Sequence, residues 1–310
     1  MAVTSPRDRL AAVSLPSTRG LSNLLVSARP AQWVKNLVLP LPFLFGGALS
    51  SARGWKLAAA GFAVFCAITS AIYLVNDVMD RERDRAHPVK RRRPLAAGEL
   101  NIPTAIAAAT ALGIAGLGAA FLLSPRFGRW SLLYAVLMLG YSLWLKGIPF
   151  LEALIVAAGL PLRALAGAAL AGLTPSGFLT GCAYLLALFL VIGKRQWELQ
   201  HAGSVSSTEH RPVLASYHRE GLDFLFVVTA LATVAAYSVY TVVPSTISMH
   251  GQSLAPTVPF VVLGVARYVR LVYRHGGGGN PTQALLIDDP WILLIVLGWV
   301  AAAGWIIYVR

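Results

Sequence analysis

Long apolar stretches make up most of the chain, and short polar segments separate them. A bilayer core about 30 Å thick requires roughly 20 apolar residues for one helical crossing. By that measure the pattern predicts nine transmembrane helices, near residues 37–52, 56–75, 103–123, 130–145, 151–172, 176–193, 223–243, 254–273 and 291–309. The predicted fold is therefore an all-α integral membrane bundle of nine transmembrane helices.

The polar segments are unevenly distributed. Residues 1–27 are predicted to be a disordered tail, which leaves 28–310 as a single transmembrane domain. Two connections, 76–102 and 194–222, are long and charged, and a third, around Lys146, is short. Because these three recur after every second helix, they lie on the same side of the membrane. We expect them to form cap loops over one site.

Composition excludes a soluble domain, since 56% of the residues are hydrophobic and only 13% are charged. The net charge of +13 does not indicate a nucleic-acid partner, because the basic residues are dispersed among short loops. With a cytoplasmic N-terminus, 20 of the 26 lysines and arginines lie on inner segments. The positive-inside rule then predicts a protein of the cytoplasmic membrane, with the N-terminus and the three loops inside. The oligomeric state stays open, with a homo-oligomer as one alternative.

A dense run of acids and bases, NDVMDRERDRAHPVKRRRPLAAGEL, begins at Asn76. If the second helix continues past Leu74, then Asp77, Asp80 and Asp84 share one face. Each carboxylate would cost about 2.5–3.5 kcal/mol or more at the bilayer centre, so a cation must compensate them. Mg²⁺ takes carboxylate and phosphate oxygens, and we predict these three acids as its ligands. The alternative is a solvated loop in which the interleaved arginines neutralise the acids.

This stretch resembles the first aspartate-rich motif of the UbiA superfamily of intramembrane prenyltransferases, including the His-Pro and Arg-Pro-Leu that follow the acids. The resemblance implies nine transmembrane helices, a lateral opening to the bilayer and a magnesium-bound diphosphate.

The second motif of that superfamily departs from its usual pattern here. Typical members carry D-x-x-x-D at the start of the fifth helix, after a Tyr and a Lys. This chain keeps Tyr141 and Lys146 but has Glu152 and Val156 at the acidic positions. This departure disfavours a site with two metal ions and is compatible with one main metal ion plus basic residues, and the number of metal ions stays open. Arg163 follows Glu152 by about three helical turns, so it either lines the cavity or pairs with an acid.

Two further stretches, ARPAQWVKNLVLPLPFLF (28–45) and GKRQWELQHAGSVSSTEHRPVLASYHREGLDF (193–224), resemble the decaprenyl-phosphate phosphoribosyltransferase branch. That resemblance implies transfer of 5-phosphoribose from 5-phosphoribosyl 1-diphosphate to a polyprenyl phosphate lipid, for cell-wall arabinan precursors. An aromatic or quinone prenyltransferase and a cation transporter are the alternatives.

The site residues follow from these motifs. The predicted catalytic residues are Asp77, Asp80, Asp84 and Glu152, with either Asp84 or Glu152 stabilising positive charge on the ribose. Basic and polar side chains must bind the phosphate oxygens that the metal does not reach. The predicted substrate-binding residues are Lys35, Asn36, Asn76, Lys90, Arg91, Tyr141, Lys146, Arg163, Lys194 and Arg195.

Overall fold

The computed structural model describes residues 18–174, 176–200, 217–274 and 289–309. Its α-helices, in chain order, are α1 (Thr18–Ala28), α2 (Leu41–Phe45), α3 (Ala52–Met79), α4 (Arg81–Ala86), α5 (Pro94–Ala97), α6 (Ile102–Leu123), α7 (Pro125–Leu143), α8 (Leu151–Ala171), α9 (Gly177–Gln200), α10 (Arg219–Val242), α11 (Pro244–His250), α12 (Val258–Tyr273) and α13 (Pro290–Tyr308). Short 3₁₀ helices lie at Pro30–Val38, Ala48–Ser50, Lys90–Arg92, Leu145–Gly147 and Ala255–Thr257.

Seven helices in the described ranges are long and apolar enough to cross a membrane: α3, α6, α8, α9, α10, α12 with the 3₁₀ turn before it, and α13. Helix α7 is 19 residues long and joins α6 to α8. The predicted all-helical membrane bundle is confirmed.

The first predicted helix, 37–52, differs from the others because it is divided into short 3₁₀ and α-helical pieces. Pro40 and Pro42 lack the backbone N–H that an uninterrupted helix needs, and Gly47 has a left-handed φ of 69°. Close packing fixes this segment against α8, since a Cβ on Gly167 would lie 2.0 Å from the Leu39 carbonyl oxygen. The polar residues just before Leu39 are therefore held beside α8.

The N-terminal tail was predicted to be disordered to residue 27. Residues 1–17 lie outside the described ranges, whereas the following residues form α1. The end of α1 is tied to α3, because the Ser70 hydroxyl donates to the Ala28 carbonyl at 3.1 Å. This contact places Arg29 next to the acidic motif.

Helices α3, α7 and α9 end, and α6, α8 and α10 begin, at one end of the bundle, which we call the motif end. There Lys146 contacts Asp80, and Tyr217 contacts both Phe150 and Glu152. The three polar segments predicted to cap one site thus meet, although residues 201–216 of the third lie outside the described part of the chain.

Candidate active site

The acidic motif spans a break between two helices. Helix α3 ends at Met79, Asp80 takes φ −93° and ψ 2°, and α4 begins at Arg81. Backbone hydrogen bonds still run from Asp80 N to Asn76 O (2.9 Å) and from Asp84 N to Asp80 O (2.8 Å). The helical register is nearly kept, so Asp77 and Asp84 lie on one side as predicted, while the Asp80 carboxylate contacts a different cation.

Asp77 and Asp84 are both buried and converge on one guanidinium nitrogen. The Arg93 Nη1 atom lies 2.5 Å from Asp84 Oδ2 and 3.2 Å from Asp77 Oδ1. Arg29 makes a second ion pair with Asp77, and its guanidinium lies 5.0 Å from the centre of the Tyr73 ring. Arg93 thus lies between the two carboxylates, and Arg29 supplies a second positive charge at Asp77.

Asp80 has separate partners. Its Oδ1 accepts from Lys146 Nζ at 2.5 Å, and its Oδ2 accepts from Asn76 Nδ2 at 3.1 Å. The interleaved arginines contribute little here, because Arg83 remains 3.9 Å away. The neighbouring Arg81 and Arg85 pair with the exposed Glu82 and donate to carbonyls of α5.

The main compensating charges therefore come from outside the run of interleaved arginines, in contrast to the solvated-loop alternative. Sequence reasoning missed Arg29, and from the run Lys90–Arg93 it named Lys90 and Arg91 but not Arg93. Lys90 and Arg91 lie at the edge of this cluster on the 3₁₀ helix, and Arg91 is exposed.

The chemistry of the Asp77 and Asp84 donors fits Mg²⁺. Among the described residues, no group of three or more His, Cys, Asp or Glu side chains converges on one point. The two carboxylates nevertheless bracket a cation in the present structure, and Mg²⁺ commonly binds through one or two carboxylates with phosphate oxygens as further ligands.

Glu152 forms a buried ion pair in the first turn of α8. Arg195 donates from Nε to Glu152 Oε1 at 2.5 Å, from Nη2 to Glu152 Oε2 at 2.8 Å and from Nη1 to Glu198 Oε2 at 2.7 Å. Glu152 has no solvent exposure, and Arg195 has almost none. The prediction that Lys194 and Arg195 lie in a loop was wrong, because α9 continues to Gln200.

Tyr217 connects the third polar segment to α8. Its hydroxyl accepts from the Phe150 N–H at 2.8 Å and lies 3.5 Å from Glu152 Oε1. Phe150 itself adopts a φ of 60°, a conformation that an L-residue adopts only when its surroundings hold it there. Burial raises the pKa of the Tyr217 hydroxyl. Tyr141 lies close enough to Arg195 to interact with it electrostatically.

Arg163 is buried within the bundle and has neutral partners. It donates to Asn36 Oδ1 (2.9 Å), to the Gly159 carbonyl (2.7 Å) and to the Tyr134 hydroxyl (2.6 Å). Asn36 in turn donates to Thr69 Oγ1 at 3.2 Å. Among the described residues Arg163 makes no ion pair with Glu152 or another acid. The structure therefore does not support the alternative in which Arg163 pairs with an acid.

Lys35 precedes Asn36 and faces other cations. Burial, followed by the positive charges of Lys194, Arg163 and Arg29, lowers its pKa to about 7. Within the described residues its ammonium group has no carboxylate in ion-pair contact. The geometry thus divides the basic residues into those that neutralise the acidic motif and those that surround Lys35.

Comparison with known proteins agrees with this architecture. A sequence profile of the UbiA prenyltransferase family matches residues 39–286. The chain belongs to the UbiA prenyltransferase family. It is a UbiA-family membrane transferase and a multi-pass integral membrane protein.

Two curated relatives are similar along almost the whole UbiA chain. The decaprenyl-phosphate phosphoribosyltransferase of Corynebacterium glutamicum is 35% identical over 296 residues, covering 92% of this chain and 87% of the relative. The enzyme of the same name from Mycobacterium tuberculosis is 31% identical over 296 residues, covering 94% and 96%.

The fold matches a solved structure of a UbiA homolog from Archaeoglobus fulgidus bound to GPP and Mg²⁺. The TM-score is 0.71 at 19% identity, with 93% of this chain and 100% of that chain covered.

Proposed function

We propose that this UbiA protein transfers 5-phosphoribose from 5-phosphoribosyl 1-diphosphate to decaprenyl phosphate or another polyprenyl phosphate. An acceptor phosphate oxygen forms a bond to the anomeric carbon of the ribose as the bond from that carbon to the diphosphate breaks. Relatives at 31–35% identity over more than nine tenths of the chain support this reaction.

The observation that carries the proposal is the buried Glu152–Arg195 pair. In typical relatives this region carries the second metal-binding motif, whereas here Glu152 is engaged by Arg195 and Val156 has no carboxylate. A donor bound by one metal ion and several cations is therefore favoured over a prenyl diphosphate bound by two metal ions. Phosphoribosyl diphosphate suits such a site because it carries three phosphate groups.

The donor diphosphate would bind at the acidic motif, with Mg²⁺ held by Asp77 and Asp84 and supported by Asp80 through Asn76. Bound Mg²⁺ would neutralise charge on the departing diphosphate. Arg29, Arg93 and Lys146, which now contact the carboxylates, would also donate to phosphate oxygens.

No general base is required, because the acceptor phosphate is already an anion at neutral pH. Rate enhancement then comes from positioning the two substrates and from fixed positive charges around the phosphates. The water-soluble donor would reach the motif end from the cytoplasm, as the excess of basic residues on that side supports. The lipid product would serve as a precursor of cell-wall arabinan.

The experiment combines purified protein in detergent, Mg²⁺, labelled phosphoribosyl diphosphate and decaprenyl phosphate. Label should enter the lipid phase, and EDTA or Asp77→Asn should abolish this transfer. Glu82→Gln is the matched control, because its side chain lies in the same motif but is 73% exposed. Absence of transfer, together with turnover of a prenyl diphosphate and an aromatic acceptor, would instead identify an aromatic prenyltransferase.

A further inference from the structure

Arg163 is an unusual intramembrane cation because neutral groups hold it. Its three described hydrogen bonds, to an amide, a carbonyl and a phenol, leave its positive charge uncompensated. Its guanidinium carbon also lies 4.7 Å from the centre of the Tyr134 ring. A buried charge is costly unless an opposite charge accompanies it, so the arrangement is suited to binding an anion.

The cations around Lys35 extend this positive region. Lys35 interacts electrostatically with Arg163, Lys194 and Arg29. Arg29 is engaged by Asp77, and Lys194 lies 3.9 Å from Glu198. Among the described residues, Lys35 and Arg163 are thus the members of this group without a carboxylate in ion-pair contact.

The position of this group within the bundle separates it from the acidic motif. Asn36 joins Arg163 to Thr69 on α3, and Thr69 precedes Asp77 by eight residues. At 1.5 Å per residue, that is about 12 Å deeper along the helix axis. Lys35 lies on the 3₁₀ helix Pro30–Val38, between Arg29, which pairs with Asp77, and Asn36, which accepts from Arg163. It therefore lies between the two regions.

We propose that Lys35 and Arg163 form the binding site for the phosphate of the lipid acceptor, separate from the donor site at Asp77 and Asp84. This inference rests on the proposed function. The apolar chain of the lipid acceptor extends into the bilayer, so its phosphate suits a site on the membrane side of the donor, where Arg163 lies. That phosphate must also lie beside the donor ribose, and Lys35 lies between Arg163 and the donor site. Asn36 and Tyr134 are positioning residues that orient the Arg163 guanidinium.

The 5-phosphate of the donor has the same monoester chemistry and is the competing occupant. The two differ in how they enter, because the donor arrives in water, whereas the acceptor carries an apolar chain. They also differ in their need for metal. Among the described residues no carboxylate makes an ion pair with Lys35, so acceptor binding should not require Mg²⁺, in contrast to donor binding at the acidic motif.

The test measures direct binding of farnesyl phosphate and of ribose 5-phosphate to the detergent-solubilised full chain in EDTA. We expect farnesyl phosphate to bind and Lys35→Gln to weaken it by about 10- to 100-fold, the loss typical of one charge-assisted contact. Lys35→Arg should retain most of the affinity. The matched control Lys56→Gln should leave it intact, because this exposed lysine lies near the start of α3, at the opposite end of the bundle.

Two outcomes would overturn the assignment. One is farnesyl phosphate binding that Lys35→Gln and Arg163→Gln leave unchanged in variants that still unfold cooperatively. The other is Lys35-dependent binding of ribose 5-phosphate alone, which would give the site to the donor. Metal-independent farnesyl phosphate binding through Lys35, without ribose transfer, would support the acceptor site while refuting the proposed reaction.

Discussion

The acidic motif lies at the motif end of the bundle and the Lys35–Arg163 region lies deeper within it, and the two regions differ in how their buried charges are compensated. Each motif carboxylate faces a cation supplied by a distant segment, Arg29, Arg93 or Lys146. Arg163 is instead held by neutral groups, and Lys35 lies among other cations. The charges of the acidic motif therefore compensate one another without a ligand, whereas the positive charges of Lys35 and Arg163 are compensated only when an anion binds.

This difference predicts different responses to substitution. In the acidic motif, removing one member of an ion pair leaves the other buried without an opposite charge, so the protein loses both stability and donor binding. In the Lys35–Arg163 region, removing a cation relieves repulsion between positive charges and impairs only acceptor binding. Functional sites commonly lower the stability of a protein in this way.

The largest expected effect is that of Asp77→Asn on phosphoribosyl transfer. An amide is a poorer Mg²⁺ ligand than a carboxylate and leaves Arg29 and Arg93 with less compensating charge. We expect transfer to fall by on the order of 10²–10³-fold, as when a key electrostatic group is removed from an active site. Initial rates during a Mg²⁺ titration measure this change. Retention of more than a tenth of the wild-type rate would remove Asp77 from the catalytic machinery.

Glu152→Gln should act mainly through stability. The substitution leaves Arg195 buried with only Glu198 as an acidic partner, and breaking such a pair typically costs about 3–5 kcal/mol. Thermal unfolding in detergent should show a lower midpoint, which the double substitution with Arg195→Gln partly restores. An unchanged midpoint with abolished transfer would instead support the predicted catalytic role of Glu152.

Lys35 should make acceptor affinity depend on pH. Its pKa of about 7 means that the charged form, which binds phosphate, is lost as the pH rises through 7. We expect farnesyl phosphate affinity to fall on the order of tenfold between pH 7 and 8.5, measured by direct binding. Lys35→Arg should flatten this profile because a guanidinium stays protonated. The same slope in both proteins would assign the titration to another group.

The stability of the ligand-free protein should change in the opposite direction. Because folding lowers the Lys35 pKa from 10.5, the unfolded chain binds more protons between pH 7 and 10.5. The stability contribution of Lys35 therefore rises with pH in that window, and its full cost is present below pH 7. Lys35→Gln should raise the thermal midpoint more at pH 6 than at pH 9.

The sequence predicted features that depend on local periodicity. Runs of apolar residues located the long helices, and helical spacing placed Asp77 and Asp84 on one side of the motif. The spacing of Glu152 and Arg163 on one helix did not predict that they would have separate partners, because each side chain bonds to a residue from a distant part of the chain. Glu152 pairs with Arg195, 43 residues away, and Arg163 with Asn36, 127 residues away.

Arg29 shows why such partners escape sequence reasoning. It follows α1 in a left-handed conformation with φ 55°, immediately before Pro30, and reaches a carboxylate 48 residues further along the chain. Composition marks it only as one basic residue among many. Its role depends on the packing of α1 against α3, a tertiary contact with no signal in the residues around it.

Tyr134→Phe is the mildest substitution that we propose for the Lys35–Arg163 region. It keeps the aromatic ring beside Arg163 but removes the hydroxyl that accepts from Arg163 Nη2 at 2.6 Å. Because Asn36 and Gly159 still hold the guanidinium, we expect only about a three- to tenfold loss of farnesyl phosphate affinity. Tyr240→Phe is the matched control, since that buried hydroxyl bonds to Thr246 at the opposite end of the bundle. Both variants should lose some stability, but only Tyr134→Phe should weaken acceptor binding. Equal binding by the two would mean that Arg163 is oriented without Tyr134, or that the acceptor phosphate lies elsewhere.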